Sequence, residues 1–260
     1  MTELRTTLVQ ADLRWEDPKA NCQMLDGLLH ETHATDLIVL PEMFATGFTM
    51  NSRAMAEPMA ESYTVEWMRE QAQRSQAVVT GSVAILDQGS CFNRLIWAQP
   101  NGELIWYDKR HLFRMGGEHE RYGIGSERRI VELCGFRILL TVCYDLRFPV
   151  WLRNVEDEYD VMLCVANWPA ARRHPWRTLL QARAIENLCY VIGVNRVGED
   201  AKGLHYSGDS MLIDYKGEAL IDEPRDMPFM RTGTLGLESL REFRSKFPAW
   251  MDADRFTLEP

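Results

Sequence analysis

Three short segments each end an apolar run on a residue that can do chemistry. Leu37-Ile38-Val39-Leu40-Pro41-Glu42 ends on a carboxylate. Leu104-Ile105-Trp106-Tyr107-Asp108-Lys109 ends on an ammonium. Ile138-Leu139-Leu140-Thr141-Val142-Cys143 ends on a thiol, with Tyr144-Asp145-Leu146-Arg147-Phe148-Pro149 behind it. A free thiol is mostly protonated at neutral pH and becomes a nucleophile when a base or a cation is close. Glu42 could take that proton. Lys109 could stabilise the thiolate and then the oxyanion formed when Cys143 attacks a carbonyl. A glutamate whose pKa is raised by burial can replace the histidine of a Ser-His-Asp site. Each residue alone also has a structural reading. A Cys at a strand end is commonly core, a Glu there commonly a cap or solvated end, and Asp108-Lys109-Arg110 a surface charge run.

For the three groups to meet, the strands that carry them must end in one place. Parallel neighbours would do this, because ligands bind at strand C-terminal ends in sheets with helical crossovers. Apolar spacing predicts strands over Leu4–Leu13, Asp36–Leu40, Ala77–Leu86, Cys91–Ala98, Glu103–Tyr107, Phe136–Val142, Asp160–Ala166, Tyr190–Asn195 and Ser210–Asp214. Asp87-Gln88-Gly89, Pro100-Asn101-Gly102 and Lys216-Gly217 supply turns. Helical spacing covers Pro18–His33, Ser62–Ser75 with Ser62 as cap, a short stretch after Pro149, and Pro175–Leu188. The tail after Leu237 has no clear pattern. The alternation points to an α/β protein with mixed sheets, one or two in number. No linker or repeat divides the sequence, so residues 1–260 are expected to form one domain.

Composition narrows the function. The chain has 46% hydrophobic and 26% charged residues, ordinary for a globular protein. Its formal net charge of −9 argues against nucleic acid as a partner. No basic region precedes an apolar run at the N-terminus, and no apolar stretch reaches membrane-spanning length. Six scattered cysteines without a C-x-x-C pair suit a reducing compartment, so a cytoplasmic location is expected. The P-loop and the dinucleotide fingerprint are absent, and Gly123-Ile124-Gly125 reads as a loop. His30-Glu31-Thr32-His33 is one residue short of a zinc helix and reads as a solvated helix end. Gly208-Asp209-Ser210 lacks the context of a nucleophile elbow and reads as a turn. No metal or cofactor is expected.

With these residues in view, the sequence resembles the nitrilase, or carbon–nitrogen hydrolase, superfamily from about Leu4 to Leu220. The motifs are Leu40-Pro41-Glu42-Met43-Phe44 with Thr46-Gly47-Phe48, Tyr107-Asp108-Lys109-Arg110-His111-Leu112-Phe113, and Cys143 through Pro149. Ala166-Asn167-Trp168-Pro169 and the segment from Arg183 to Gly198 agree as well. The resemblance implies a four-layer α-β-β-α sandwich of two mixed sheets, and a catalytic Glu42–Lys109–Cys143 triad. It implies a further glutamate in the loop after the lysine, Glu118 in preference to Glu120. The backbone N–H of Tyr144 would join Lys109 at the oxyanion, through a thioester intermediate. It also implies a homodimer built on the region after Pro149 and the Pro175 helix.

Cys-Tyr-Asp-Leu-Arg-Phe-Pro and Phe113-Arg114-Met115-Gly116-Gly117-Glu118 look most like the bacterial ω-amidase branch. That branch hydrolyses the terminal amide of short dicarboxylic monoamides such as 2-oxoglutaramate. Nitrilases typically carry Cys-Trp-Glu at the nucleophile, and Tyr144-Asp145 disfavours a nitrile. The far carboxylate of such a substrate needs a cation, since burying it unpaired is costly. Arg114, Arg172 and Arg173, the last two beside His174 and following Trp168, are the candidates, with a solvated loop as the plain alternative. Asp145 and Arg147 are expected to pair and fix the loop after Cys143. A broader aliphatic amidase, an N-carbamoyl amidase, an ammonia-passing partner and a catalytically silent binding module are the alternatives.

Overall fold

The computed structural model describes residues 2–30 and 34–258. The chain first lays down β1 (Glu3–Gln10), β2 (Leu37–Val39), the two-residue β3 (Glu57–Pro58), β4 (Val78–Asp87), β5 (Ser90–Ala98) and β6 (Leu104–Asp108). It then forms β7 (Ile130–Leu133), β8 (Phe136–Val142), β9 (Val161–Ala166) and β10 (Tyr190–Asn195). A hairpin of β11 (Val197–Glu199) and β12 (His205–Ser207) follows, then β13 (Met211–Ile213), β14 (Ala219–Asp222) and β15 (Phe229–Gly236). Two sheets result, ordered β15-β1-β2-β4-β5-β6 and β14-β13-β10-β9-β8-β7, with β3 beside β4. In the first, β1, β2 and β4 are parallel and β4-β5-β6 form an antiparallel meander. In the second, β8, β9 and β10 are parallel.

Side-chain alternation explains the layering. Leu4 and Leu8 of β1 and Leu95 and Trp97 of β5 pack with Ile138, Leu140 and Val142 of β8 in one core between the sheets. The opposite face of the first sheet, with Ile38, Val79, Val83 and Ile96, packs on α1 (Pro18–Leu29) and α3 (Tyr63–Ser75). Two short or terminal helices, α2 (Ser52–Met55) and α4 (Pro149–Leu152), flank the loops. α5 (Arg173–Asn187) covers the second sheet, and α6 (Leu237–Lys246) follows β15. Gly193 of β10 has no side chain because a Cβ there would stand 2.5 Å from Leu180 of α5. The result is the four-layer α-β-β-α sandwich.

The elements mostly fall where apolar spacing puts them. Ser62 caps α3, its hydroxyl accepting the Val65 N–H at 3.0 Å. Some bounds differ. β1 stops at Gln10 rather than Leu13. α1 ends at Leu29, and Glu31, Thr32 and His33 of the expected helix end lie outside the described residues. α5 begins at Arg173, two residues before its proline, because Pro needs no N–H in a first turn. The patternless tail contains α6, and before it β15, which zips antiparallel along all of β1. Its alternation is hidden because β15 is an edge strand with many exposed side chains.

Candidate active site

The three reactive strand ends meet, but not as parallel neighbours. β2 and β6 lie in one sheet with β4 and β5 between them, and β8 lies in the other. The ends converge because β2 and β6 run the same way in a sheet stacked face to face with the one holding β8.

Glu42, Lys109 and Glu118 are all fully buried. Lys109 Nζ donates to Glu42 Oε1 at 2.8 Å and to both Glu118 oxygens at 3.0 Å. Its charge also faces the Phe48 ring, 5.2 Å from the centroid. Burial alone would lower the Lys109 pKa, but the two carboxylates raise it well above the usual value. Burial pushes Glu118 up, and the Glu42 charge adds to this, against the pull of Lys109. Glu120, the alternative, is exposed.

Cys143 opens a 3₁₀ turn, Cys143–Arg147, directly at the end of β8. Its φ of +47° is left-handed, a region that non-glycine residues rarely occupy. Asp145 holds this turn. Its carboxylate accepts the Val142 N–H at 2.9 Å, the Tyr107 hydroxyl at 2.8 Å, and the His111 backbone and Nδ1 N–H groups at 2.9 and 2.8 Å. The expected Asp145–Arg147 pair is therefore absent. Asp145 is inside, bonded to the lysine segment, while Arg147 points the other way with its guanidinium 5.0 Å from the Trp168 ring centroid. The turn leaves the N–H of Tyr144 among those without an intrahelical acceptor. The Cys143 thiol lies within reach of the Glu42 charge. Burial and the Glu42 charge raise its pKa well above that of a free thiol, outweighing Lys109, so the resting group is a thiol.

A cavity of about 130 Å³ opens over Cys143. Phe48, Phe113 and Trp168 give it apolar walls, and Arg147, Arg172 and Lys202 stand around it. The Arg172 guanidinium lies 5.4 Å from the Phe113 ring centroid. None of these three cations forms a salt bridge among the described residues. The one acid in the lining, Asp200, is spent on its own hairpin, accepting the Lys202 and Leu204 N–H groups and the Tyr206 hydroxyl. Of the residues that sequence reasoning proposed for the substrate, Arg172 and Trp168 line the cavity. Arg114 is exposed outside it, and Arg173 is held by Asp209 at 2.7 Å.

Sequence reasoning passed over four contributors. Arg147 reads in the sequence as the partner of Asp145, and Lys202 sits on a hairpin with no pattern. Asn167 donates its backbone N–H to Glu42 Oε2 at 2.7 Å and its amide N–H to the Glu42 carbonyl, leaving its own buried Oδ1 without a partner among the described residues. Asn93, in the middle of β5, donates to both glutamates. A signal for Asn93 was present. The Pro100-Asn101-Gly102 turn sets a β5–β6 register that pairs Arg94 with Asp108, so Asn93 falls opposite Lys109. The Lys109 backbone N–H donates to the Asn93 carbonyl at 3.0 Å.

This arrangement has a thiol, a buried carboxylate to take its proton, a fixed positive charge and a small cavity with cations on its wall. It suits attack on a carbonyl carbon. The described residues contain no cluster of His, Cys, Asp and Glu able to hold a metal.

Comparison with known proteins agrees in kind. Residues 5–245 match the family model described as carbon–nitrogen hydrolase. The chain is 49% identical to the ω-amidase YafV of Yersinia enterocolitica over 99% of this chain and 100% of that protein. It is 31% identical to the 2-oxoglutaramate amidase of Bacillus subtilis over 94% of this chain and 95% of that one. Among solved structures, XC1258 of Xanthomonas campestris, a CN-hydrolase superfamily protein with an arsenic adduct in its active site, superposes with a TM-score of 0.97. It shares 48% identity over the whole of both chains.

Proposed function

The chain belongs to the carbon–nitrogen hydrolase family, and on that premise we propose that it is an ω-amidase. It would release ammonia from the terminal amide of short dicarboxylic monoamides of the 2-oxoglutaramate and succinamate type. The observation that carries this reading is the pairing of a Cys143–Glu42–Lys109 floor with a wall of unpaired cations in one small cavity. The relatives named ω-amidase and 2-oxoglutaramate amidase support the same substrate class.

In this reading Glu42 takes the Cys143 proton as Sγ attacks the amide carbon. The oxyanion is stabilised by the charge of Lys109, whose three N–H groups stay on the two glutamates, and by the Tyr144 N–H. The orphan Oδ1 of Asn167 accepts an N–H of the substrate amide, which a nitrile does not offer. When the C–N bond breaks, Glu42 returns the proton to the leaving nitrogen and ammonia departs from a thioester. Water then attacks the thioester carbon, Glu42 takes a water proton and passes it to the sulfur, and the acid leaves. The far carboxylate meets Arg147 and Arg172. A guanidinium stacked on an aromatic ring keeps its N–H fork free for such a bidentate contact.

We place the reaction in the cytoplasm, since none of the six cysteines is in a disulfide. No helix among the described residues is long and apolar enough to cross a membrane. A homodimer would cover Val150 after β8 and Ile185 on α5, which are 56% and 53% exposed. Light scattering of the wild type and Val150→Glu tests the dimer.

The function is tested by direct ammonia detection over monoamides, esters, nitriles and carbamoyl compounds. Succinamate should far outrun butyramide. Equal rates on the two would reject the ω-amidase reading, and no ammonia from any amide would reject the hydrolase mechanism with it.

A further inference from the structure

Every donor around the two buried glutamates can be assigned to one oxygen. Glu42 Oε1 takes Lys109 Nζ at 2.8 Å and Asn93 Nδ2 at 2.8 Å. Glu118 Oε1 takes Lys109 Nζ at 3.0 Å and the same Asn93 Nδ2 at 3.0 Å. Glu118 Oε2 takes Lys109 Nζ at 3.0 Å and the Phe113 N–H at 2.6 Å. A carboxylate oxygen has two in-plane lone pairs, so these three oxygens are full. Glu42 Oε2 takes only the Asn167 N–H, at 2.7 Å. Among the described residues it is the only oxygen of the four with room for another proton.

The orientation of the Asn93 amide, usually ambiguous, follows from a backbone group that can only donate. The Met43 N–H donates to Ser82 Oγ at 2.8 Å. Asn93 Oδ1, at 2.8 Å, is then the one acceptor left for the Ser82 hydroxyl hydrogen among the described residues. Both Asn93 N–H groups are thereby turned to the glutamates. Ser82 and Asn93 are fully buried, so no water competes.

We infer that Asn93, oriented by Ser82, is a positioning residue that fills Oε1 of both glutamates and so directs the Cys143 proton to Glu42 Oε2. This rests on the reading of Glu42 as the base. The proton leaves Sγ for Oε2 as the S–C bond forms, and returns from Oε2 to the amide nitrogen as the C–N bond breaks. The same saturation assigns Glu118 a different task from Glu42. With both oxygens full it does not exchange protons with substrate; it anchors Lys109 and, through Phe113, a wall of the cavity.

Removing the amide opens Oε1 of both glutamates. Glu118 faces Lys109 at the end of β6, Glu42 beyond β2 and Tyr122 on its own loop. Burial raises its pKa, and the Asn93 hydrogen bond opposes that rise. Without Asn93 it should protonate at higher pH, releasing part of its hold on Lys109. The test compares wild type, Asn93→Ala and Ser82→Ala, with kcat and KM for succinamate measured across pH.

For Asn93→Ala the expected result is a kcat lower by about 10- to 100-fold, as for a misplaced catalytic group, with KM unchanged. The acid limb of kcat should also move up by about one pH unit. Ser82→Ala keeps both amide hydrogens but frees their direction, and should move the same limb the same way by less. A wild-type kcat in Asn93→Ala, or a lowered kcat with an unmoved acid limb, overturns the inference. If Asn93→Ala does not fold, Ser82→Ala decides: a shifted limb supports the inference and an unshifted one overturns it. A wild type that releases no ammonia from any amide sinks the parent reading instead.

Discussion

The floor and the wall of the cavity are opposite kinds of polar surface. On the floor, Lys109 spends its contacts on Glu42 and Glu118, and nearly every lone pair has a donor. On the wall, Arg147, Arg172 and Lys202 have no acidic partner among the described residues, and two of them rest on aromatic rings. Saturated groups are rigid and keep one protonation pattern, which suits a reaction that is the same for every substrate. Unpaired cations are held open for a charge that the protein itself does not supply. The floor therefore corresponds to amide chemistry in general, and the wall to the choice of amide.

Breaking the floor should have the largest effects. Cys143→Ala should abolish ammonia release while circular dichroism stays that of the wild type. Mass spectrometry of the wild type with a slow substrate should show the acyl group on Cys143; an adduct on another cysteine would end the assignment. Lys109→Met should lower kcat by about 100- to 1000-fold, the usual result of losing an oxyanion partner. It also leaves two buried carboxylates facing each other, so denaturant unfolding should show a loss of about 3–5 kcal/mol. Glu42→Gln should slow alkylation of Cys143 by iodoacetamide; an unchanged rate would remove Glu42 as the base.

Effects at the wall should be smaller and selective. Arg147→Met or Arg172→Met should raise KM for succinamate by about 10- to 100-fold, the worth of a hydrogen bond to a charged group. KM for butyramide should hardly change. If both substrates suffer equally, the arginine shapes the cavity and does not read charge. Arg173→Met is the control and should leave KM for both substrates alone. Its partner Asp209 is only 1% exposed and would keep Arg177 at 3.1 Å as its cation, so stability should fall while KM does not move.

Much of the floor is readable in the sequence alone. Glu42, Lys109 and Cys143 each follow an apolar run, and such runs are local. What escaped depends on pairing between distant segments. Asn93 is separated from Glu42 by 51 positions and is joined to it only by sheet order. Asp145 and Arg147 look like partners because they are two residues apart, yet the tight turn after Cys143 sends one inward to Tyr107 and His111 and the other to Trp168. Arg172 and Arg173 are indistinguishable as sequence. One lies at the end of a 3₁₀ turn against Phe113, while the other starts α5 beside Asp209. The second sheet could not be separated from the first by spacing, since strands buried on both faces show continuous apolar runs in either case.

The left-handed backbone at Cys143 has a consequence for evolution and for library design. An L-residue there is disfavoured by about 1–2 kcal/mol relative to its ordinary conformation, and glycine is not. Glycine at 143 should therefore be better tolerated by the fold than alanine, the reverse of the usual ranking. A population selected for solubility or heat resistance alone would drift toward glycine at the one position where the thiol is needed. Selection for turnover has to oppose that drift in every generation, and a stabilised variant from a screen blind to activity should be sequenced at this codon first.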